Sequence, residues 1–497
     1  MSAGLMRINL AWCLWLAMSL PGQLMAGERH TVFNWQQDGL FNQLEVAFTR
    51  ARALPVAAIR EEFDTLAAQL ASELETLALP DRGSPAGPPT ALLLRIEELQ
   101  FRLGALAAAH IELLPQAQAA IHRARLAVLE AARYWPLDVK QVRDAVYRVI
   151  YGGRNAIEEA LNQNRGVEFP ALSLLASEDM AYQSPAVLIE GVRLYSGDII
   201  LSRGGAPTSA LIARGNVYPG NFSHVAMLYV DADSGKAVVL QSLIEAGAVI
   251  TSVEDFFAYR SRRLLVLRLR GDHPVLKNDP LAPHRAASTM RKEILRRHIG
   301  YDFALDWQDP ERMFCAEVPY HGYRGVGVEL WRWRSHLDAP GLKRWLGDLG
   351  VRHFETIIPA DIEYDPSLVP VAEWRDLSAL RQDRLDNAVL DVLLEEADRG
   401  LRIDYRWYKY PFYVLVKGWS WLVDQFGVEP PIPEGMSIEA ALRVSALVHD
   451  IHPHLYQELE AAADAFREQQ GYAPPYWDLL ELARAVLARE KASLPLR

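Results

Sequence analysis

The first third of the chain carries apolar residues at three- and four-residue spacing, which is the pattern of amphipathic helices. The pattern begins at Asp38 and continues to about Gln163, with charged residues between the apolar ones. A stretch rich in Pro and Gly, residues 79–90, interrupts it and has the composition of an exposed loop. We therefore predict an antiparallel helical domain over residues 27–170.

After Pro170 the pattern changes to short, β-branched apolar runs that are bounded by Gly, Asp, Asn or Ser, as β-strands are. The runs are GDIILSR (197–203), SHVAMLYV (223–230), KAVVLQSL (236–243), RLLVLRLR (263–270) and LVPVAEWRD (368–376). Helical spacing returns in HRAASTMRKEILRRHIG and again near Cys315. This mixture predicts an α+β domain over residues 171–376.

The last part of the chain, residues 377–497, again has helical spacing, with a final helix from about Tyr476. Within it, YPFYVLVKGWSWLVDQF (410–426) is intensely aromatic but contains Lys417 and Asp424. The favoured interpretation is a core helix that packs on the α+β domain. The alternative is a helix at a membrane interface, or one that lines a groove.

The first 26 residues have the three parts of a secretory signal peptide. Arg7 precedes a largely apolar stretch, Ile8 to Leu20, which is too short to span a bilayer comfortably, and a small residue follows at Ala26. We predict an exported protein, periplasmic or associated with the cell envelope. Cleavage near Ala26 would remove Cys13 and leave Cys315 as the single cysteine.

Composition excludes some function classes. The formal net charge of −11 argues against nucleic acid as a partner, because phosphate binding needs clustered Lys and Arg. The sequence shows no metal-spaced His/Cys cluster, no phosphate-binding glycine loop and no nucleotide fingerprint, so no cofactor is expected.

Cys315, in the stretch MFCAEVPYHGY (313–323), is the candidate nucleophile. A free cysteine is most often a small buried hydrophobe, and a nucleophilic one needs a base and an orienting group. Cys315 follows a polar, Pro-containing loop at the expected start of a helix, where backbone N–H groups and the helix dipole favour the thiolate. We therefore predict a lowered thiol pKa, and we expect Glu317 to anchor the helix start.

His224 is the leading candidate for the base, because it opens a strand directly after a loop and a strand end is a rigid platform. Four other histidines of this region lie in Pro-rich connections, in a basic helix or too close to the cysteine along the chain: His273, His284, His298 and His321. Gln241 and Glu245, on or beyond the neighbouring strand, are both candidates to orient the imidazole.

The order of GDII (197–200), SHVAM (223–227), IEAGAV (244–249), GYDF (300–303) and FCAEV (314–318) resembles the permuted papain-like amidases, the YaeF/YiiX group of NlpC-type cysteine hydrolases. The resemblance covers residues 190–376. It implies a circularly permuted papain-like (NlpC-type) antiparallel sheet core, here flanked by all-α N- and C-terminal regions. The cysteine follows the histidine along the chain, as the permutation requires.

The resemblance also implies roles for single residues. It makes Cys315 the nucleophile, His224 the base and Glu245 the third polar member of the triad. Two positions before the histidine, where the family often has an aromatic residue with a hydroxyl group, this chain has Phe222. The second donor of the oxyanion site is therefore unassigned.

These inferences predict an exported cysteine hydrolase that cleaves an amide bond, in cell-wall peptide or another envelope amide, through a thioester. A lipid acyltransferase or esterase with the same triad is the alternative, since lecithin:retinol acyltransferase-like enzymes share the permuted order. Membrane contact through residues 410–426 would favour that alternative. A third hypothesis is a catalytically silent scaffold that binds a partner.

Overall fold

The structure is a computed structural model, and it describes residues 33, 35, 38–77, 90–175, 182–258, 263–309, 311–337, 339–424, 426 and 430–497. The predicted signal peptide, residues 1–26, and nearly all of the predicted 79–90 loop lie outside these residues. The described chain is a mixed α+β fold with an antiparallel sheet, which confirms the fold class at this level.

Long helices form the N-terminal part of the chain, as the apolar spacing predicted. They are α1 (Gly39–Arg52), α2 (Val56–Thr76), α3 (Thr90–Ala109), α4 (Leu114–Ala132) and α5 (Lys140–Gln163). The first begins after Asp38, whose Oδ1 accepts hydrogen bonds from the backbone N–H groups of Leu40 and Phe41 at 2.9 and 3.1 Å. This is a normal N-cap, so the predicted helix start is confirmed.

The strands of the described chain are β1 (Leu172–Leu174), β2 (Ala186–Ile189), β3 (Val192–Tyr195), β4 (Ile199–Arg203), β5 (His224–Val230), β6 (Ala237–Leu243), β7 (Gly247–Ser252), β8 (Arg263–Leu269), β9 (Ser335–His336), β10 (Glu355–Thr356) and β11 (Leu368–Arg375). Seven of these form one antiparallel sheet in the order β1-β11-β8-β4-β5-β6-β7. All five apolar runs singled out in the sequence are strands of this sheet.

The register of the sheet brings the candidate base to its neighbours. β4 pairs with β5 so that Ser202 lies opposite His224, and β5 pairs with β6 so that Ala226 lies opposite Gln241. Because side chains alternate along a strand, His224 and Ala226 are on the same face of the sheet. Gln241 is therefore a diagonal neighbour of His224 across the β5–β6 pair.

The shorter helices of this region are α6 (Pro207–Arg214), α7 (Val253–Ala258), α8 (Pro274–Asn278), α9 (Ala282–Arg296), α10 (Glu317–Arg324) and α11 (Pro340–Asp348). Of these, α7, α9 and α10 pack against strands of the sheet. Helix α10 begins two residues after Cys315 and packs against α9 and against β5. A Cβ atom on Gly322 would lie 3.0 Å from Met290 Cγ and 3.1 Å from the carbonyl oxygen of Ala286. The absence of a side chain at Gly322 thus allows α9 and α10, the helix that follows the cysteine segment, to approach each other closely.

Gly247 keeps a second segment beside the site. It adopts φ +69°, which favours glycine, and a Cβ atom there would collide with the carbonyl oxygen of Ile299. The N–H of Ala248 donates to that same oxygen at 2.9 Å. The following residues, GYDF (300–303), are therefore held against the start of β7.

The C-terminal helices are α12 (Leu380–Asp398), α13 (Tyr410–Asp424), α14 (Ile438–Ser445), α15 (His452–Gln470) and α16 (Tyr476–Glu490). The two helical flanks share one hydrophobic core. Trp35 lies edge-on to Tyr476 with ring centroids 5.2 Å apart, and Phe41 stacks on Trp477 at 4.9 Å. Residues from the two ends of the chain thus pack against each other.

A buried cluster of charges joins the N-terminal helices to the sheet. Arg154 donates to Glu373 at 3.0 Å and to Glu363 at 2.9 Å, and Arg125 donates to Glu373 and Glu363 at 3.0 and 2.9 Å. All four side chains are at most 6% exposed. Each carboxylate is therefore paired with both guanidinium groups, and Glu373 also pairs with Arg375 at 3.2 Å, as burial of charge requires.

The interpretation of residues 410–426 as a core helix is wrong. Helix α13 forms there, but among its described side chains Ser420 alone is buried, and Leu415 is 74% exposed. The polar groups face inward instead, where Lys417 Nζ donates to the carbonyl oxygen of Pro433 at 2.9 Å. In the described part of the chain, no helix combines the length and the apolar character needed to span a bilayer.

Candidate active site

The cysteine segment is anchored on both sides of Cys315. The N–H of Phe314 donates to Glu317 Oε2 at 2.8 Å, a reciprocal contact at the start of α10 that confirms the anchoring role expected of Glu317. On the other side, the carbonyl oxygen of Met313 accepts a hydrogen bond from Ser242 Oγ at 2.6 Å. The thiol therefore sits in a fixed turn between a helix start and β6.

The sulfur of Cys315 lies against the start of β5. Three backbone N–H groups act on the thiol and favour its ionised form: those of Val225, Ala316 and Cys315 itself. Val225 directly follows His224 along the strand, so this contact brings the sulfur to the residue next to the imidazole. The sulfur thus meets the backbone of the residue that follows the predicted base.

The predicted lowering of the thiol pKa is wrong. Cys315 is 5% exposed, and burial raises the pKa of its thiol to about 11, although the three amides oppose this shift. The free energy needed to remove a thiolate from water is larger than the stabilisation that these three amides provide. The resting sulfur is therefore protonated at neutral pH.

In the described part of the chain, His224 has one side-chain partner, Gln241. Its Nε2 lies 2.8 Å from Gln241 Oε1, and the Nε2 amide of Gln241 donates to Thr251 Oγ1 at 2.7 Å. With the amide in this orientation Oε1 is an acceptor, and the imidazole donates from Nε2. The neutral ring then carries its basic lone pair on Nδ1, as a general base needs.

Burial also lowers the pKa of His224, and the hydrogen bond to Gln241 only partly offsets this effect. The cysteine and the histidine are consequently both neutral at rest. The chemistry open to such a neutral pair is base-assisted attack, in which a proton passes from sulfur to imidazole.

The expected contact between Glu245 and the imidazole is wrong, because Gln241 makes that contact. Glu245 lies in the turn between β6 and β7, where its side chain is exposed and lines a cavity. Gln241, inside β6, is the residue that the register places diagonally opposite His224. A neutral amide therefore orients the imidazole.

Tyr301 is a site residue that the sequence analysis did not single out, although it belongs to the quoted GYDF motif. Burial raises the pKa of its phenol well above the usual value, and the neighbouring Cys315 and Glu245 raise it further. Tyr301 therefore keeps its O–H proton and is a donor beside the thiol. Phe222, the position that lacks a hydroxyl group, is fully buried under Arg154 instead.

Each of the four other histidines considered as a base has a contact of its own. His284 Nδ1 lies 2.9 Å from Ser196 Oγ, and His298 Nε2 lies 3.0 Å from Glu434 Oε2. His321 Nε2 lies 3.2 Å from Glu317 Oε1, one turn into α10. His273 Nδ1 accepts from the N–H that starts α8, at 3.3 Å. These contacts are structural.

Cys315 forms part of the wall of a cavity of about 430 Å³. The wall is mostly apolar and comes from the α+β region and the C-terminal helices, including Leu211, Ile244, Leu305, Phe314, Leu346, Ile358, Tyr413, Ile432, Met436 and Val448. Among the few polar members are Glu245 and Tyr301. A cavity of this size and lining suits a ligand with a long apolar part.

Within the described residues no group of His, Cys, Asp and Glu side chains could hold a metal ion. Comparison of the chain with protein-family models, curated proteins and solved structures gave no match. The function is therefore inferred from the geometry and chemistry of the site itself.

The raised thiol pKa predicts a steep pH dependence of alkylation. We expect the rate at which iodoacetamide modifies Cys315 to rise about tenfold per pH unit between pH 7 and 10, because only the thiolate reacts. Mass spectrometry of the 313–323 peptide measures this rate. In the urea-unfolded chain the same rate should level off near pH ~8.5. If the alkylation rate of the folded chain is already constant from pH 7 upward, the result would contradict a neutral Cys315 and His224.

Proposed function

We propose that this protein is a cysteine-dependent acyl-transfer enzyme, with Cys315 as nucleophile and His224 as general base. The observation that carries the proposal is the meeting of the thiol with the start of β5 at the wall of an apolar cavity. A structural cysteine would need neither amides that converge on its sulfur nor contact with the strand that begins at a histidine.

In the first half of the reaction, Cys315 Sγ attacks the carbonyl carbon while its proton passes to His224 Nδ1. The S–C bond forms, and the carbonyl oxygen takes the negative charge, which N–H groups at the helix start stabilise. The imidazolium then returns the proton to the leaving group as its bond to carbon breaks. The product is a thioester on Cys315.

In the second half, His224 takes a proton from water or another acceptor hydroxyl, and that oxygen attacks the thioester carbonyl. The C–S bond breaks, and the proton returns to the sulfur. Water as acceptor gives hydrolysis, and an alcohol gives acyl transfer. Tyr301 is a second donor beside the thiol for the transient oxyanion.

The permuted papain-like fold remains part of this proposal. Its support is the chain order, in which the histidine strand β5 precedes the cysteine helix α10, together with the packing of α10 on β5 and β6. The central antiparallel strands and the tyrosine segment beside the cysteine agree with the same arrangement.

The cavity favours a lipid acyl group over cell-wall peptide as the part that Cys315 attacks. Peptide stems carry amides and carboxylates. Burying these groups against an apolar wall costs free energy unless polar groups of the protein bind them. An acyl chain needs only apolar contacts. We therefore propose a lipid acyl hydrolase or acyltransferase as the leading function, and the envelope amidase as second candidate, since Glu245 and Tyr301 offer polar contacts in the same wall.

Product analysis tests which of the two candidate functions is correct. The purified chain is incubated separately with phospholipid and with soluble cell-wall peptide, and released fatty acid and cleaved peptide are followed by mass spectrometry. We expect fatty acid or transferred acyl product from the lipid. Cleavage of peptide with intact lipid would establish the amidase instead, and turnover of neither would contradict the enzyme.

A pair of substitutions tests the corrected triad. Gln241→Ala should lower kcat by about 100-fold, because the imidazole loses the partner that fixes its tautomer and orientation. Glu245→Gln should change kcat little, because its carboxylate does not contact the ring. The conservative Gln241→Asn variant should recover part of the rate. The reverse ranking of Gln241 and Glu245 would restore the original triad.

A further inference from the structure

Helix α13 and the residues that flank it expose an aromatic face. We define this face by nine side chains that are between 42% and 80% exposed: Trp407, Tyr408, Phe412, Val414, Leu415, Trp419, Trp421, Leu422 and Phe426. Single exposed apolar residues are common on protein surfaces, but a contiguous set of this size marks an interaction site.

The aromatic face runs along one side of the segment. Positions 408, 412, 415, 419, 422 and 426 alternate steps of four and three residues, which aligns them on one side of a helix. The opposite side contacts the protein: Ser420 Oγ accepts from the N–H of Ile432 at 2.9 Å, and Tyr413 lines the cavity. The helix thus carries apolar side chains on the outer side, where an ordinary surface helix carries polar ones.

We propose that the aromatic face docks on the surface of a phospholipid bilayer, with α13 lying in the plane of the interface. Trp and Tyr are the residues that concentrate at the boundary between headgroups and acyl chains. A one-sided apolar stripe that runs the whole length of a helix suits this flat position, and α13 does not span a membrane. Arg406, exposed beside Trp407, can contact lipid phosphate.

The position of the cavity supports a lipid as the occupant. Tyr413, on the inner side of α13, lines the cavity together with Ile432, Pro433 and Met436. The docked helix would therefore hold the cavity of Cys315 against the membrane, where an acyl chain could enter without crossing water. A second copy of the chain would cover the aromatic face but would supply no ligand for that cavity.

Vesicle flotation with the full-length chain tests the proposal. Vesicles of phosphatidylethanolamine and phosphatidylglycerol are the probe, and Leu415→Asp places a charge at the centre of the aromatic face. We expect partition to fall by on the order of 100-fold. Leu295→Asp is the matched control, because Leu295 is a leucine on helix α9 that is 63% exposed, and it should bind like the unchanged chain.

The outcomes separate docking from catalysis. Cys315→Ala should float with vesicles like the unchanged chain, so a failure of the proposed chemistry leaves the docking result standing. Equal partition of Leu415→Asp and the unchanged chain would overturn the proposal. The proposal would also be overturned if the chain does not bind vesicles but forms a dimer, detected by light scattering, that the Leu415→Asp substitution dissociates.

Discussion

Cys315→Ala is expected to abolish acyl transfer, with a fall in kcat on the order of 10⁴-fold or more. The substitution removes the atom that forms the thioester, and Tyr301, the other reactive group beside it, holds its proton too tightly to replace it. Folding should be nearly unaffected, at a cost of roughly 1 kcal/mol for one buried sulfur atom. Fatty acid release and the thermal midpoint measure the two effects.

Two histidine variants provide the controls for this result. His224→Ala should lower kcat by about 10²- to 10⁴-fold, as expected for the loss of a general base. His284→Ala removes a histidine of the same region that contacts Ser196 Oγ at 2.9 Å, and it should leave kcat nearly unchanged. Substantial activity in Cys315→Ala, with the fold intact, would remove the thiol from the mechanism.

The second large effect is on stability. Arg154→Met should destabilise the fold by about 3–5 kcal/mol, because Glu363 loses one of its two guanidinium partners and Glu373 loses one of three, while both stay buried. Methionine keeps much of the side-chain volume, so the loss reports on charge and hydrogen bonding. The midpoint of urea unfolding, followed by circular dichroism, gives the measurement.

A surface ion pair is the matched control for Arg154→Met. Arg50 contacts Glu62 at 2.6 Å, but its side chain is 50% exposed, so Arg50→Met should cost less than about 1 kcal/mol. Adding Glu363→Gln to Arg154→Met should restore part of the stability, because it removes one of the weakened carboxylates. If Arg154→Met and Arg50→Met lower the free energy of unfolding by similar amounts, the buried cluster contributes no more to stability than a surface ion pair.

The places of Cys315 and His224 in the fold could be predicted because both depend on local patterns. Cys315 follows a loop and precedes a helix, and His224 opens a strand, as the residues around them indicated. The third member could not be predicted in the same way. Whether Gln241 or Glu245 meets the imidazole depends on the register of β5 and β6 and on where β6 ends, which are properties of strand pairing.

The thiol pKa shows a second limit of local reasoning. The helix start at Cys315 favours a thiolate, and the amides that the sequence led us to expect are present. Burial depends on distant segments, namely the sheet, α9 and the loop that carries Tyr301, and it outweighs those amides. A sequence pattern gives the local contribution, but it does not give the extent to which water is excluded.

The aromatic segment 410–426 shows a third limit. Its spacing allows a helix, but a helix with apolar residues on most sides gives no sign of which side faces the protein. The inward contacts of Lys417 and Ser420 are made with residues 432 and 433, in a loop whose position depends on the tertiary fold. The exposed aromatic face follows from those contacts.

Trapping of the thioester tests the central claim most directly. The chain is incubated briefly with phospholipid and quenched in acid, and its intact mass and the 313–323 peptide are then measured. We predict a mass increase equal to one acyl group in place of one hydrogen, located on Cys315 and removed by hydroxylamine. Consumption of substrate with no adduct on Cys315, or an equal adduct in Cys315→Ala, would contradict the account.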